Sequence, residues 1–307
     1  MSASIASPVR TSASWRESLS RDGVFYAFVA PFAILTILFG LWPIILSIQV
    51  SFTASATALK PNAAYVGFDN YRAIFADPVF LASLWRTLAY TAAAVVANVA
   101  FALAVALLLD SKLIGRGRTF FKVAVFLPVV TPDVAGYVVW KWLYDRSFGA
   151  VNAALDLVGL PAFGGLASVG TVTIAILIAE LWKHAGFYVI IFLANLAIRD
   201  RALDEAAAID GATAWQRLVH VTLPQLRPAL VINGVYALIQ FLKTFTVVVV
   251  MTKGGPADTT NFVSYYAYQL FDQGRSGEAT AMATVLFGIV AVLALTAYRI
   301  AERGDRR

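Results

Sequence analysis

No cysteine occurs in the 307 residues, which excludes disulfides, thiolate metal sites and thiol catalysis together. Histidine is nearly as scarce, with His184 inside an apolar run and His220 in a polar segment. Neither lies in an H-E-x-x-H setting and no serine lies in a G-x-S-x-G setting, so the chain offers no obvious nucleophile with its base and no metal cluster. The phosphate-binding pattern G-x-x-x-x-G-K-[ST] is absent, and Gly115-Arg116-Gly117 lacks the third glycine and the preceding strand of a dinucleotide site. Charge is sparse too, at 14% of residues. The formal +6 is not gathered into a basic, aromatic-interleaved stripe, so no nucleic-acid partner is expected.

What is present is apolar residue, 60% of the chain, in runs that exceed the roughly 20 residues needed to cross a ~30 Å hydrocarbon layer. The reading is an all-α polytopic membrane protein, since lipid leaves backbone groups no partners outside a helix or closed barrel and the runs lack period-2 alternation. Six spans are expected near 24–50, 87–109, 121–143, 170–198, 228–251 and 279–300, forming one membrane domain over 23–307 behind a Ser-rich tail, 1–22. The first run is too long for a secretory h-region and reads as an uncleaved anchor.

Basic residues divide about 15 to 7 between the two sides of this map. The richer set holds Arg10, Arg16 and Arg21, then Lys112 to Lys122, then Arg199, Arg201, Arg217 and Arg227, then Arg299 to Arg307. That side, with both termini, is expected to be cytoplasmic. Pro128 and Pro132 should bend or interrupt the third span, and Phe68 to Arg86 suits a surface helix on the outer face.

Between spans four and five lies a polar insert, 199–227. Ala202 to Asp210 is a run of good helix formers, Gly211 suits the left-handed residue that ends a helix, and Thr213 with Gln216 makes a capping-box start for a second short helix. Pro224 and Pro228 reset the chain direction before span five. Composition alone favours an ordinary solvated loop over a docking element.

Ionisable residues inside spans are costly and mark candidate solute contacts. Glu180, Lys183 and His184 share one helix face, either as a self-neutralising Glu180–Lys183 pair or as solute contacts. In span five Asn233, Tyr236, Gln240 and Lys243 or Thr244 recur at helical spacing, a stripe that serves helix contacts or solute equally well. Lys183, His184 and Lys243 raise the narrower expectation of an acidic solute.

The run Glu205-Ala206-Ala207 to Asp210-Gly211-Ala212, followed by Val221, Leu223-Pro224 and Pro228, resembles the EAA loop of binding-protein-dependent ABC importer permeases. Over nearly the whole chain the order of Trp42-Pro43, Ser51-Phe52, Val66 to Tyr71, Leu127-Pro128, Pro132, Trp140, Gly149, Asn152 and Thr252 to Pro256 is similar to sugar permeases of the maltose and glycerol-phosphate type. Leu218, Val221 and Thr246 depart from the usual residues of that family without touching the Glu or Gly of the loop.

The resemblance implies a type I ABC importer permease fold in a bacterial cytoplasmic membrane, pairing with a second homologous permease. It implies an ABC ATPase dimer beneath, which binds the ATP and Mg, and an extracytoplasmic solute-binding protein delivering a carbohydrate. No cofactor is expected in this chain. Glu205, Ala206, Ala207, Asp210, Gly211, Leu223 and Pro224 would couple the loop to the ATPase. Asp133, Glu180, Lys183, His184, Tyr236, Gln240, Phe241 and Thr244 would line the solute path. A secondary transporter driven by its own ion-coupled residues is the rival reading, one that leaves the polar insert without a role.

Overall fold

The computed structural model describes residues 23–55 and 63–305. The expected tail, 1–22, lies outside the described residues, as do Lys60, Arg306 and Arg307. Among the described residues there is no β-strand, only an isolated bridge between Thr53 and Tyr65.

The described residues up to Val50 form one unit by themselves. It is a single apolar rod built of α1 (Gly23–Thr36), a π-type turn (Ile37–Leu41) and α2 (Trp42–Ser51). None of its described side chains before Ser51 is buried, and large ones such as Phe28, Phe32 and Phe39 are exposed. A helix apolar on every face suits surroundings of lipid or protein rather than water.

Residues from Ser51 onward form the second unit. It opens with a knot of aromatic rings, Phe52 against Phe68 and Tyr71 at 5.3 Å each. The Asn70 amide donates to the Ser51 and Thr53 carbonyls at 2.8 Å, satisfying acceptors left over at the end of the preceding helix. The expected surface helix from Phe68 to Arg86 is split in two. α3 (Asp69–Ala76) stops at Asp77, and α4 (Pro78–Asp110) begins at once. Proline forces the residue before it out of the helical region, so Asp77 is extended, with ψ 114°, and caps the new helix by accepting from the Val79 N–H at 2.8 Å. The second long helix therefore starts nine residues before the expected 87.

The middle of the unit is the crossing of α4 with α8 (Val172–Ile198), against which α11 (Arg227–Leu242) packs. Along α4 the buried positions Ala94, Asn98, Ala102 and Ala106 recur every four residues, a small-residue stripe that lets backbones come close. α5 (Arg118–Val130) and α6 (Asp133–Leu143) are the two halves of the proline-bearing segment, bent by 104° at Thr131-Pro132, the interruption that the prolines dictate. α5 presses so tightly on α8 that a Cβ at Gly186 would sit 2.4 Å from the Val125 carbonyl oxygen. Next comes the short α7 (Ala150–Leu157), and α12 (Val263–Asp272) and α13 (Ser276–Asp305) close the unit.

Among the described residues four helices are long and apolar enough to span a membrane, Phe25–Ser51, Pro78–Asp110, Val172–Ile198 and Ser276–Arg299, and the bent pair makes a fifth if it is one span. α11 has 16 residues and ends at Leu242, short of the expected 251. Beyond it Lys243, Thr244 and Phe245 leave the helix, and the chain turns helical again at Thr246 and Val247, continuing as a π-type turn, Val248–Thr252.

Candidate functional site: a polar insert and a buried polar cluster

The insert forms the two helices that its sequence encodes. α9 (Arg201–Ile209) is capped by Asp200, whose side chain accepts from the Ala202 N–H at 2.9 Å. It ends on a Schellman arrangement: the Gly211 N–H donates to Ala208 and the Ala212 N–H to Ala207, at 3.2 and 2.9 Å. Gly211 takes φ +83° and nothing lies within 4 Å of where its Cβ would be. α10 (Ala214–Arg217) begins on the Thr213–Gln216 capping box. It runs through a π-type turn, Leu218–Thr222, and a single turn at Leu223-Pro224-Gln225 into α11.

What the insert shows to the outside is unusual for a polar loop. Leu203, Ile209 (86% exposed) and Trp215 (71%) project from it, beside the small Ala206 and Ala208. Behind it is a polar cavity of about 650 Å³, lined by Glu205, Asp204, Arg217, Arg201, Arg199 and Asp110 among others. Asp204 pairs with Arg217 at 3.7 Å, joining α9 to α10. Asp110, nearly buried at the end of α4, receives Arg118 at 2.9 Å, Arg199 at 3.2 Å and Arg201 at 3.5 Å.

The intramembrane candidates divide into groups. Lys183 does not pair with Glu180. Its ammonium, on a side chain 4% exposed, meets Asp133 at 3.0 Å and donates to the carbonyls of Pro128, Val129 and Thr131 at 3.0, 3.2 and 2.6 Å. Those carbonyls sit where the helix is interrupted, so Lys183 replaces the backbone donors that the break removes. Its charge is already met by Asp133, which withdraws it as an argument for an acidic solute.

Glu180 instead takes the Tyr137 hydroxyl at 2.7 Å, and His184 Nε2 lies 3.5 Å from the same hydroxyl and 3.8 Å from the other carboxylate oxygen. Phe241, expected as an aromatic face open to solute, is fully buried, with ring contacts to Tyr90 and His184. Tyr236 is half-exposed and tilted against Phe187 at 4.6 Å. Asn233 donates to the Tyr188 carbonyl at 3.2 Å and so ties α11 to α8. Lys243 and Thr244 lie beyond the end of α11, off the expected helical stripe, and the buried Thr244 hydroxyl has no partner. Among the described residues no hydrogen bond joins Tyr236, Gln240 or Thr244 to the Glu180 group.

Two residues escaped the sequence reading. Tyr137 follows Asp133 by one helical turn, a spacing that would have brought it into the candidate set. Asp110 is the acid that closes an apolar run just before a basic segment, a charge contrast visible in the sequence.

Comparison with known proteins agrees with this architecture. Residues 111–307, more than half of the chain, match the family described as binding-protein-dependent transport system inner membrane component. The trehalose/maltose transport system permease protein MalF of Thermococcus litoralis is 29% identical over 86% of this chain and 89% of its own length. The inner membrane ABC transporter permease protein YcjO of Escherichia coli is 33% identical over 86% and 90%. Among solved structures, a chain of the bacterial alginate ABC transporter in complex with an alginate pentasaccharide-bound periplasmic protein superposes with a TM-score of 0.82 at 26% identity, covering 94% of this chain and 97% of that one. The chain belongs to the family of inner membrane permease components of binding-protein-dependent ABC transport systems.

Proposed function

We propose that this chain is one of two homologous permease halves through which an ABC importer passes a sugar or sugar derivative into the cytoplasm by alternating access. The observation that carries this reading is the insert, a rigidly capped helix pair that leaves Leu203, Ile209 and Trp215 in the open. Apolar side chains on a polar projection fit the groove of a protein partner. An ATPase subunit gives the insert an occupant, and the ATP and Mg belong to that subunit. Glu205, Ala206, Ala207, Asp210 and Gly211 shape the docking turn, and Leu223-Pro224 returns it to α11. A second permease and a solute-binding protein complete the complex, as in the relatives' type of system.

The chain crosses the membrane six times in this reading, with α11 and the turn after it as the fifth crossing and both termini and the insert in the cytoplasm. The charge distribution supports that orientation. Along the path, Asp133 and the half-exposed Tyr236 and Gln240 offer polar and aromatic surface suited to a sugar. Glu180, His184 and Tyr137 form a supporting polar cluster behind them, with Thr244 and Phe241 nearby in the chain and Lys183 holding the broken segment open.

The test is purification of the tagged chain from native membranes in mild detergent, identification of what co-purifies, and uptake of radiolabelled trehalose, maltose and an acidic oligosaccharide into proteoliposomes. The expected outcome is recovery of a second permease and an ATPase, with uptake that needs ATP. Recovery of this chain alone, active without ATP and abolished by an uncoupler, would overturn the proposal in favour of an ion-driven carrier.

A further inference from the structure

Asp110 closes the 33-residue α4, and both of its carboxylate oxygens are engaged. Oδ1 meets Arg118 at 2.9 Å and Arg201 at 3.5 Å, and Oδ2 meets Arg199 at 3.2 Å, while the carboxylate side chain is only 8% exposed. These arginines belong to other segments. Arg118 is the first residue of α5, and Arg199 and Arg201 flank the entry to α9. Arg199 also reaches the Thr222 hydroxyl at 3.3 Å, on the exit limb of the insert. Other polar ties of the insert, such as Asp204 with Arg217 and the Asp200 N–H with the Gln225 side chain, run within the insert itself.

We propose that Asp110 is a positioning residue that locks α4, the start of the broken segment and both limbs of the insert into one body, so that a displacement of the insert reaches the long helix undiminished. The inference rests on the insert being the place where an ATPase acts. Charge-assisted hydrogen bonds to a guanidinium are directional, so the carboxylate fixes orientation as well as distance. Without its charge, Arg118, Arg199 and Arg201 would lose the anion they share at close range and repel one another, loosening the joint.

The absence of cysteine makes the test direct, because nitroxide labels go only where cysteines are introduced. Val96 is exposed on α4, roughly 20 Å along the helix from Asp110 by its rise per residue, and Ala214 is exposed on the insert. With V96C and A214C labelled in the assembled complex with cysteine-free partners, the distance distribution is expected to be one narrow peak, the same without nucleotide and with MgATP trapped by vanadate. D110N is expected to broaden that peak and to shift it by several ångströms on trapping, and D110E to keep it narrow. A merely structural role would lower the yield of complex and leave the distribution of what assembles unchanged.

Should D110N fail to assemble, R199Q is expected to broaden the peak in the same way. A narrow, state-independent peak in D110N, or in R199Q where that variant stands in, overturns the proposal, as does a wild-type distance that changes on trapping. If the wild-type complex traps no nucleotide at all, the importer reading falls and this proposal falls with it.

Discussion

Lys183 gives its charge to structure. A buried ammonium has three protons to place, and here four oxygens receive them: Asp133, the Pro128 carbonyl, which also accepts the Thr131 N–H, and the Val129 and Thr131 carbonyls, which the interrupted helix leaves without a backbone donor. Replacing Lys183 by Met removes every donor and leaves Asp133 without its cation. The expected loss is about 3 kcal/mol, reduced from the fully buried case because Asp133 is half-exposed. It would be read as a lower unfolding temperature of the purified complex. Glu180→Gln makes the opposite prediction, since the amide oxygen still accepts the Tyr137 hydroxyl at the position of Oε1. Stability should change by less than about 1 kcal/mol while uptake falls, and equal losses of both would remove Glu180 from the solute path. Gly211 separates backbone from crowding. Space around it is open and only φ +83° restricts it, so Gly211→Asn should keep ATPase co-purification, and Gly211→Val should lose it.

At the scale of elements, the elbow between α3 and α4 is held from across the unit. The Tyr266 hydroxyl on α12 donates to Asp77 at 2.6 Å. Burial first, and then that hydrogen bond, push the Tyr266 phenol up to about 12. A raised phenol favours the protonated folded form, so its contribution is complete below pH 10 and is lost as pH rises towards 12. Tyr266→Phe should cost about 1 to 2 kcal/mol at neutral pH by the loss of a hydrogen bond to a charged group, and the difference from wild type should vanish above pH 12 in denaturation curves.

The elements also separate what the letters of the sequence carry from what they do not. Gly211, Thr213 with Gln216, and Pro128 with Pro132 act within a few residues of themselves, so those helix ends and the bend were legible. Asp77-Pro78 obeys the same local rule but was hidden by the apolar pattern running through it. The partners of Lys183 were not legible, because carbonyl oxygens belong to every residue alike. Asp110 was missed for a related reason, since two of its three arginines lie about 90 residues away.

For the whole molecule, the expected topology is open to direct measurement. Single cysteines introduced at the insert and at the Gly255 turn should be labelled by a membrane-impermeant maleimide from opposite sides of sealed vesicles, the insert only after permeabilisation of whole cells. Labelling of both from one side would remove the fifth crossing and, with it, the assignment of the insert to the ATPase. The family relationship covers residues 111–307 and the close structural neighbour almost the full chain, yet the residues facing solute rest on the geometry of this chain. In the proposed complex a cavity shared with a second permease would draw half of its surface from another sequence, so composition and spacing here point to a class of solute rather than to one sugar.

The broken segment also bears on how the protein is made. Carbonyls 129 and 131 find their donor in Lys183, some 50 residues further along the chain. During synthesis the halves α5 and α6 emerge long before α8, and in lipid they would carry unpaired carbonyls for that whole interval. The hairpin must therefore wait, at the insertion machinery or at the water interface, until the fourth long helix arrives to complete it. Insertion of this chain is expected to be concerted across residues 118–198 rather than helix by helix, and Lys183→Met should leave residues 118–143 open to protease in membranes.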